Sequence, residues 1–221
     1  MDFISEGLTE KATFNPATIK DYRNLGWIFV GRDGQWAPNR DNVTAPIPQK
    51  NLTLYKIGTN AGVYGPAAQL RASVRHLNQY LYMLENKGVT KSGKRLLMLS
   101  SVDELLKPRQ QYHGARFFNP EEGMYLYGLG IYTTSYLGDS VIDHEVVRGH
   151  LGDNVGLISA EFFWKNMALS YIINGALNGY ETKNGSFYQV ERTLIHQAVS
   201  RYVSSLGTKT KLETFLYSID I

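Results

Sequence analysis

Two histidines and a neighbouring glutamate are the first residues whose types could do chemistry. His144-Glu145 and His150 place metal-ligating groups close together in the chain. A helical zinc site needs two His four residues apart, so that both rings share one face, with a Glu beside the first. Here the two His are six apart, which turns their rings to separate helical faces, and no metal site is expected. The chain has no Cys. That excludes disulfides, thiolate nucleophiles and Cys-based zinc sites.

A second group is spread over a longer stretch. Tyr112-His113-Gly114-Ala115-Arg116 is followed by Tyr127-Gly128-Leu129-Gly130-Ile131-Tyr132-Thr133. A His-Gly pair followed by a Gly-x-Gly-Ile-Tyr segment resembles the ADP-ribosyltransferases of the His-Tyr-Glu type. The likeness covers 112–136 and one later glutamate. It implies that His113 and Gly114 hold the nicotinamide side of NAD and that Tyr132 or Tyr136 stacks on its ring. Glu191 would stabilise the ribosyl cation, since developing positive charge is favoured by a fixed carboxylate. A fainter pattern, Leu54-Tyr55 with Val63-Tyr64-Gly65 and Arg75, resembles the GIY-YIG nucleases. A strand, turn and helix with ordinary packing account for the same residues.

These residues must be positioned by recognisable elements. Trp27 to Val30, then Gly31-Arg32-Asp33-Gly34, then Gln35-Trp36 spell a hairpin, because Asp-Gly suits a tight turn. Pro38, Pro46 and Pro48 make an extended arm of 37–50. Residues 18–24 suit a short helix, and Leu52 to Ile57 alternate as a strand does. Leu70, Val74, Leu77, Leu81 and Leu84 form a one-sided stripe, which predicts an amphipathic helix over 66–87. Pro66 would open it and Gly88 would stop it. Arg95 to Ser100 suggests a short strand, and Ser101-Val102-Asp103-Glu104 caps a helical turn over 102–107. The Tyr- and Thr-rich run 123–137 and the apolar tail 212–221 suggest strands.

The stretch 159–177 leaves almost no polar face, which predicts a helix buried all round. It is too short to cross a bilayer, which takes about 20 apolar residues. Val190, Leu194, Ala198, Val199, Tyr202 and Leu206 predict a second helix over 188–206. The expected class is α+β, with a mixed, mainly antiparallel sheet, the helix 66–87 and a C-terminal helix pair, 159–177 and 188–206. Residues 1–50 would form an N-terminal hairpin and arm, and 51–221 a single α+β domain.

Composition narrows the function. The 221 residues are 43% hydrophobic and 19% charged, with 15 Tyr. Tyr buries area while keeping one polar handle, which suits interfaces. Residues 1–112 carry 15 Lys+Arg against 9 Asp+Glu, while 113–221 carry 8 against 11. Opposed halves could steer contacts between copies. No dense basic run marks a nucleic-acid site, and no signal peptide is evident at the start. The expectation is a non-enzymatic assembly protein, made in the cytoplasm and built into a multi-subunit particle. A virus particle, as capsid, connector or tail component, is the leading form, which would place the chain in the virion. Its partners would be copies of itself and other subunits, with no cofactor and no membrane span. The interface candidates are Trp27, Trp36, Phe162, Phe163, Trp164 and Tyr171. NAD-dependent ADP-ribosyl transfer by His113, Tyr132 and Glu191 is the alternative.

Overall fold

The computed structural model describes residues 12–14, 25–38, 70–112, 125–133, 142, 145–154, 156–177, 187–206 and 216–220. The class is α+β, with two mainly antiparallel sheets and three helices among the described residues. In spatial order the larger sheet runs Leu216–Asp220, Met167–Ile173, Leu157–Trp164, Arg148–Asn154, Tyr132–Thr133, Tyr125–Tyr127 and Gln110–Tyr112, and the smaller runs Gln35–Pro38, Phe29–Arg32 and Gly175–Leu177.

The centre of the larger sheet is a long hairpin. Its strands are β7 (Leu157–Trp164) and β8 (Met167–Ile173). This corrects the helix expected over 159–177, whose end forms β9 (Gly175–Leu177). Lys165 and Asn166 both take positive φ, 42° and 64°, between the paired residues Trp164 and Met167. That is the turn whose twist matches the flanking strands. β6 (Arg148–Asn154) pairs antiparallel with β7, and β10 (Leu216–Asp220) pairs parallel with β8. The run 123–137 splits into β4 (Tyr125–Tyr127) and β5 (Tyr132–Thr133), and β3 (Gln110–Tyr112) completes the edge.

Both faces of this sheet are covered, which is why the central strands are largely apolar on both sides. Ile158, Ala160, Phe162, Trp164, Leu169 and Tyr171 alternate onto one face. They pack there with Phe187, Ile195 and Ala198. The latter two belong to α3 (Gln189–Leu206), which matches the second expected helix. Phe163 and Ala168 point the other way, onto Leu81, Met83 and Leu84 of α1 (Val74–Glu85). Phe162, Phe163, Trp164 and Tyr171 expose at most 4% of their surface. They therefore fill this chain's own core, which corrects their expected place at an interface.

Helix α1 begins later than its stripe suggests. Ser73 caps it by accepting from the His76 N–H, and His76 Nδ1 accepts from the Ser73 N–H in return. Leu70, Arg71 and Ala72 lie outside the helix. Gly88 stops it as expected: its φ is +86°, and its N–H reaches back to Met83 O at 2.8 Å. No strand forms over 95–100 beyond the bridge Val89↔Arg95, because α2 (Leu99–Leu106) already starts at Leu99.

The hairpin of β1 (Phe29–Arg32) and β2 (Gln35–Pro38) forms as expected, with Asp33 and Gly34 at positive φ. β1 also pairs parallel with β9, which ties the hairpin to the rest of the chain. The helix expected at 18–24, the arm 39–50 and the strand 52–57 lie outside the described residues.

Candidate functional site

Two places on this frame gather side chains that could act. The first is the small sheet. Register puts Phe29 opposite Gly175 and Gly31 opposite Trp36, so Phe29, Trp36 and Gly175 share a face. The other face carries Val30, which is buried, and Ala176, which packs on the core. Gly156, at φ +85°, brings the β6–β7 turn against the backbone of β1; a Cβ there would meet Phe29 O at 2.5 Å.

The inner face is thus anchored and the outer face is aromatic. Trp27 stacks on Phe29 with centroids 6.5 Å apart and planes 25° apart. Trp36 lies over Gly175, where an added Cβ would meet its ring at 3.3 Å. Trp27, Phe29 and Trp36 expose 49%, 40% and 55% of their surface. With about 200–250 Å² per such side chain, that is roughly 300–350 Å² of aromatic surface in water. The largest apolar patch on a typical monomer is about 300–600 Å² and is often functional.

The second place is buried, on β4 to β8. Tyr127 Oη and His150 Nε2 are 3.0 Å apart, and the Tyr132 ring lies 5.1 Å from that of His150. Tyr127 and Tyr132 rings are 5.4 Å apart. Tyr171 donates its hydroxyl to Glu191 Oε1 at 2.6 Å. The Tyr188 N–H donates to Glu191 Oε2 at 2.7 Å, so this carboxylate caps the first turn of α3. Tyr188 in turn donates its hydroxyl to Asp153 Oδ2 at 2.7 Å.

Burial dominates the electrostatics here. It raises the Glu191 carboxyl above the usual range, against the lowering effect of its bonds to Tyr171 and Tyr188. It also raises the Tyr132 and Tyr171 hydroxyls, and the nearby Glu191 carboxylate adds to both shifts. Tyr132 and Glu191 are therefore within electrostatic reach of each other. They expose only 5% and 2% of their surface, inside the packed core rather than along an open cleft. His113, Gly114, Tyr136 and His144 lie outside the described residues.

No family model, no curated protein and no solved structure matches this chain.

Among the described residues, no group of three His, Asp or Glu is placed to bind a metal. A cavity of about 20 Å³ between the β7–β8 turn and α3 is lined by Trp164, Met167, Leu169, Ala198, Val199 and Tyr202. That volume holds about one water molecule. No described helix is long and apolar enough to cross a membrane.

Sequence reasoning missed a third element, Glu161. It faces α1, in register with Ser170, whose hydroxyl donates to Asn78 Oδ1 at 2.6 Å. Its Oε2 is buried and has no hydrogen-bond partner, and burial pushes the carboxyl up to about 7. The same environment, with Glu161 adding, pushes the Tyr80 hydroxyl up to about 12. A Glu among Ser, Ala and Phe in an otherwise apolar run was the available signal.

Proposed function

We propose that this chain is a non-enzymatic subunit of a multi-subunit assembly, binding neighbouring subunits through the outer face of its small sheet. The observation that carries the reading is the exposed aromatic face of Trp27, Phe29 and Trp36, set on a sheet whose other side is anchored in the core. Large, stiff aromatic side chains contribute much contact area for little lost conformational freedom, and they dominate the energy of protein interfaces. The narrower form of the reading is a virus-particle component, such as a capsid, connector or tail subunit. It rests on the high Tyr content and the low charge. Partners are copies of the same chain and other subunits of the particle.

Two of the three tryptophans, Trp27 and Trp36, stand in solvent, and Trp164 is buried. Acrylamide quenching of tryptophan fluorescence therefore reads the contact directly. Quenching should fall as protein concentration rises and the two exposed rings become covered. Quenching that is unchanged from micromolar to millimolar protein would refute the proposal.

A further inference from the structure

The small sheet ends at β2, and its open edge is self-complementary. In a two-residue hairpin the pair next to the turn, here Arg32↔Gln35, is hydrogen-bonded, and bonded pairs then alternate along the ladder. Val30↔Ala37 is therefore bonded to β1, whereas Gly31↔Trp36 and Phe29↔Pro38 turn their backbone groups away from each other. The far side of β1 has the same phase, since the Phe29 N–H donates to Asn174 O at 2.7 Å, toward β9.

On β2 the outward groups are thus the Trp36 N–H, the Trp36 C=O and the Pro38 C=O. Pro38 has no N–H to leave unpaired. Among the described residues no strand pairs with β2 on its outer side, and all four of its residues are exposed.

Building on the assembly reading above, we infer that β2 pairs with β2 of a second copy, antiparallel, about a two-fold axis through Trp36. Trp36 of each copy exchanges both backbone hydrogen bonds with Trp36 of the other. Gln35 then lies opposite Ala37. An isologous contact of this kind requires a self-complementary edge, and a donor and acceptor on one central residue provide it. Pro38 sets the register. A slip that centred the pairing on Pro38 would lose the donated bonds, and a slip of one residue would put Trp36 on the opposite face.

In this register the two copies bring Trp27, Phe29 and Trp36 onto one face of a continuous six-stranded sheet. Edge pairing covers only part of this aromatic surface, roughly 300–350 Å² per copy, and so falls well short of the about 800 Å² per partner of a stable interface. The pairing is therefore reversible and concentration-dependent, as suits a contact repeated in a larger assembly.

The absence of native Cys makes cross-linking a clean test. Gln35→Cys and Ala37→Cys chains are prepared separately, and both positions are exposed, so the fold tolerates them. In the proposed register these positions form a non-bonded pair with Cα atoms about 4.5 Å apart, within disulfide range. On mild oxidation the 1:1 mixture should form disulfide dimer several-fold faster than either chain alone. A mixture no faster than the single chains overturns the β2 pairing. If sedimentation of the parent chain still shows association that Trp27→Ser/Trp36→Ser weakens, the assembly reading survives that failure. A strictly monomeric parent chain overturns both.

Discussion

Replacing Glu161 by Gln should stabilise the protein at neutral and alkaline pH and leave it unchanged in acid. The carboxyl sits between β7 and α1 with Oε2 unpartnered, and its pKa is pushed from 4.5 to about 7 by burial. A carboxyl that holds its proton more tightly when folded favours folding most at low pH. That advantage is complete below about pH 4.5, declines as pH rises toward 7, and is gone above it. At about 1.4 kcal/mol per pKa unit, the loss across that window is roughly 3 kcal/mol. Gln keeps the volume and removes the charge, so it should recover about 2–3 kcal/mol at pH 8 and almost nothing at pH 4.5. For a chain of this size that is a Tm difference of about 5–10 °C at pH 8. Differential scanning calorimetry of both proteins at half-unit steps from pH 4.5 to 8 reads it. If the two melting curves run parallel over the whole range, Glu161 does not carry an uncompensated buried charge and the reasoning fails.

Other outcomes follow from the same contacts. Tyr171→Phe removes a donor from the buried Glu191 and should cost about 1–3 kcal/mol in urea unfolding. Glu191→Ala should cost more than Tyr171→Phe, since it also uncaps α3, and circular dichroism should show fraying of that helix. Ser170→Ala removes the hydroxyl that donates to Asn78 Oδ1 of α1 and should cost about 1–2 kcal/mol by the same measurement. Trp27→Ser with Trp36→Ser should change unfolding by no more than about 1 kcal/mol, because both side chains are exposed.

What could be read in advance depended on whether a residue's local signal agreed with its burial. Asp33-Gly34 and Gly88 were legible because their backbone conformations, positive φ, favour few residues. The stretch 159–177 was not. Its strands are buried on both faces, so the alternation that marks a strand disappears and the run resembles a helix buried all round. The informative residues were Lys165-Asn166, a two-residue polar pair between aromatic and β-branched runs, which make the turn of a hairpin. Helix α3 was located correctly, and Ala198 and Tyr202 of its expected stripe are buried, but its first turns bury Glu191 and Ile195 whereas Val190 is exposed. The polar Glu191 hid that difference, because its burial depends on a tyrosine twenty residues earlier in the chain. Of the proposed site, Trp27 and Trp36 were visible as large aromatics in a hairpin. Which face they occupy follows only from the β1–β9 pairing, a contact across more than a hundred residues.

The central claim is that the aromatic face of the small sheet joins this chain to its neighbours. Sedimentation velocity over a hundredfold range of concentration tests it most directly, comparing the parent chain with Trp27→Ser/Trp36→Ser. The sedimentation coefficient of the parent should rise with concentration, and that of the double variant should stay at the monomer value. A parent chain that remains monomeric throughout, or two proteins that associate equally, would contradict the account.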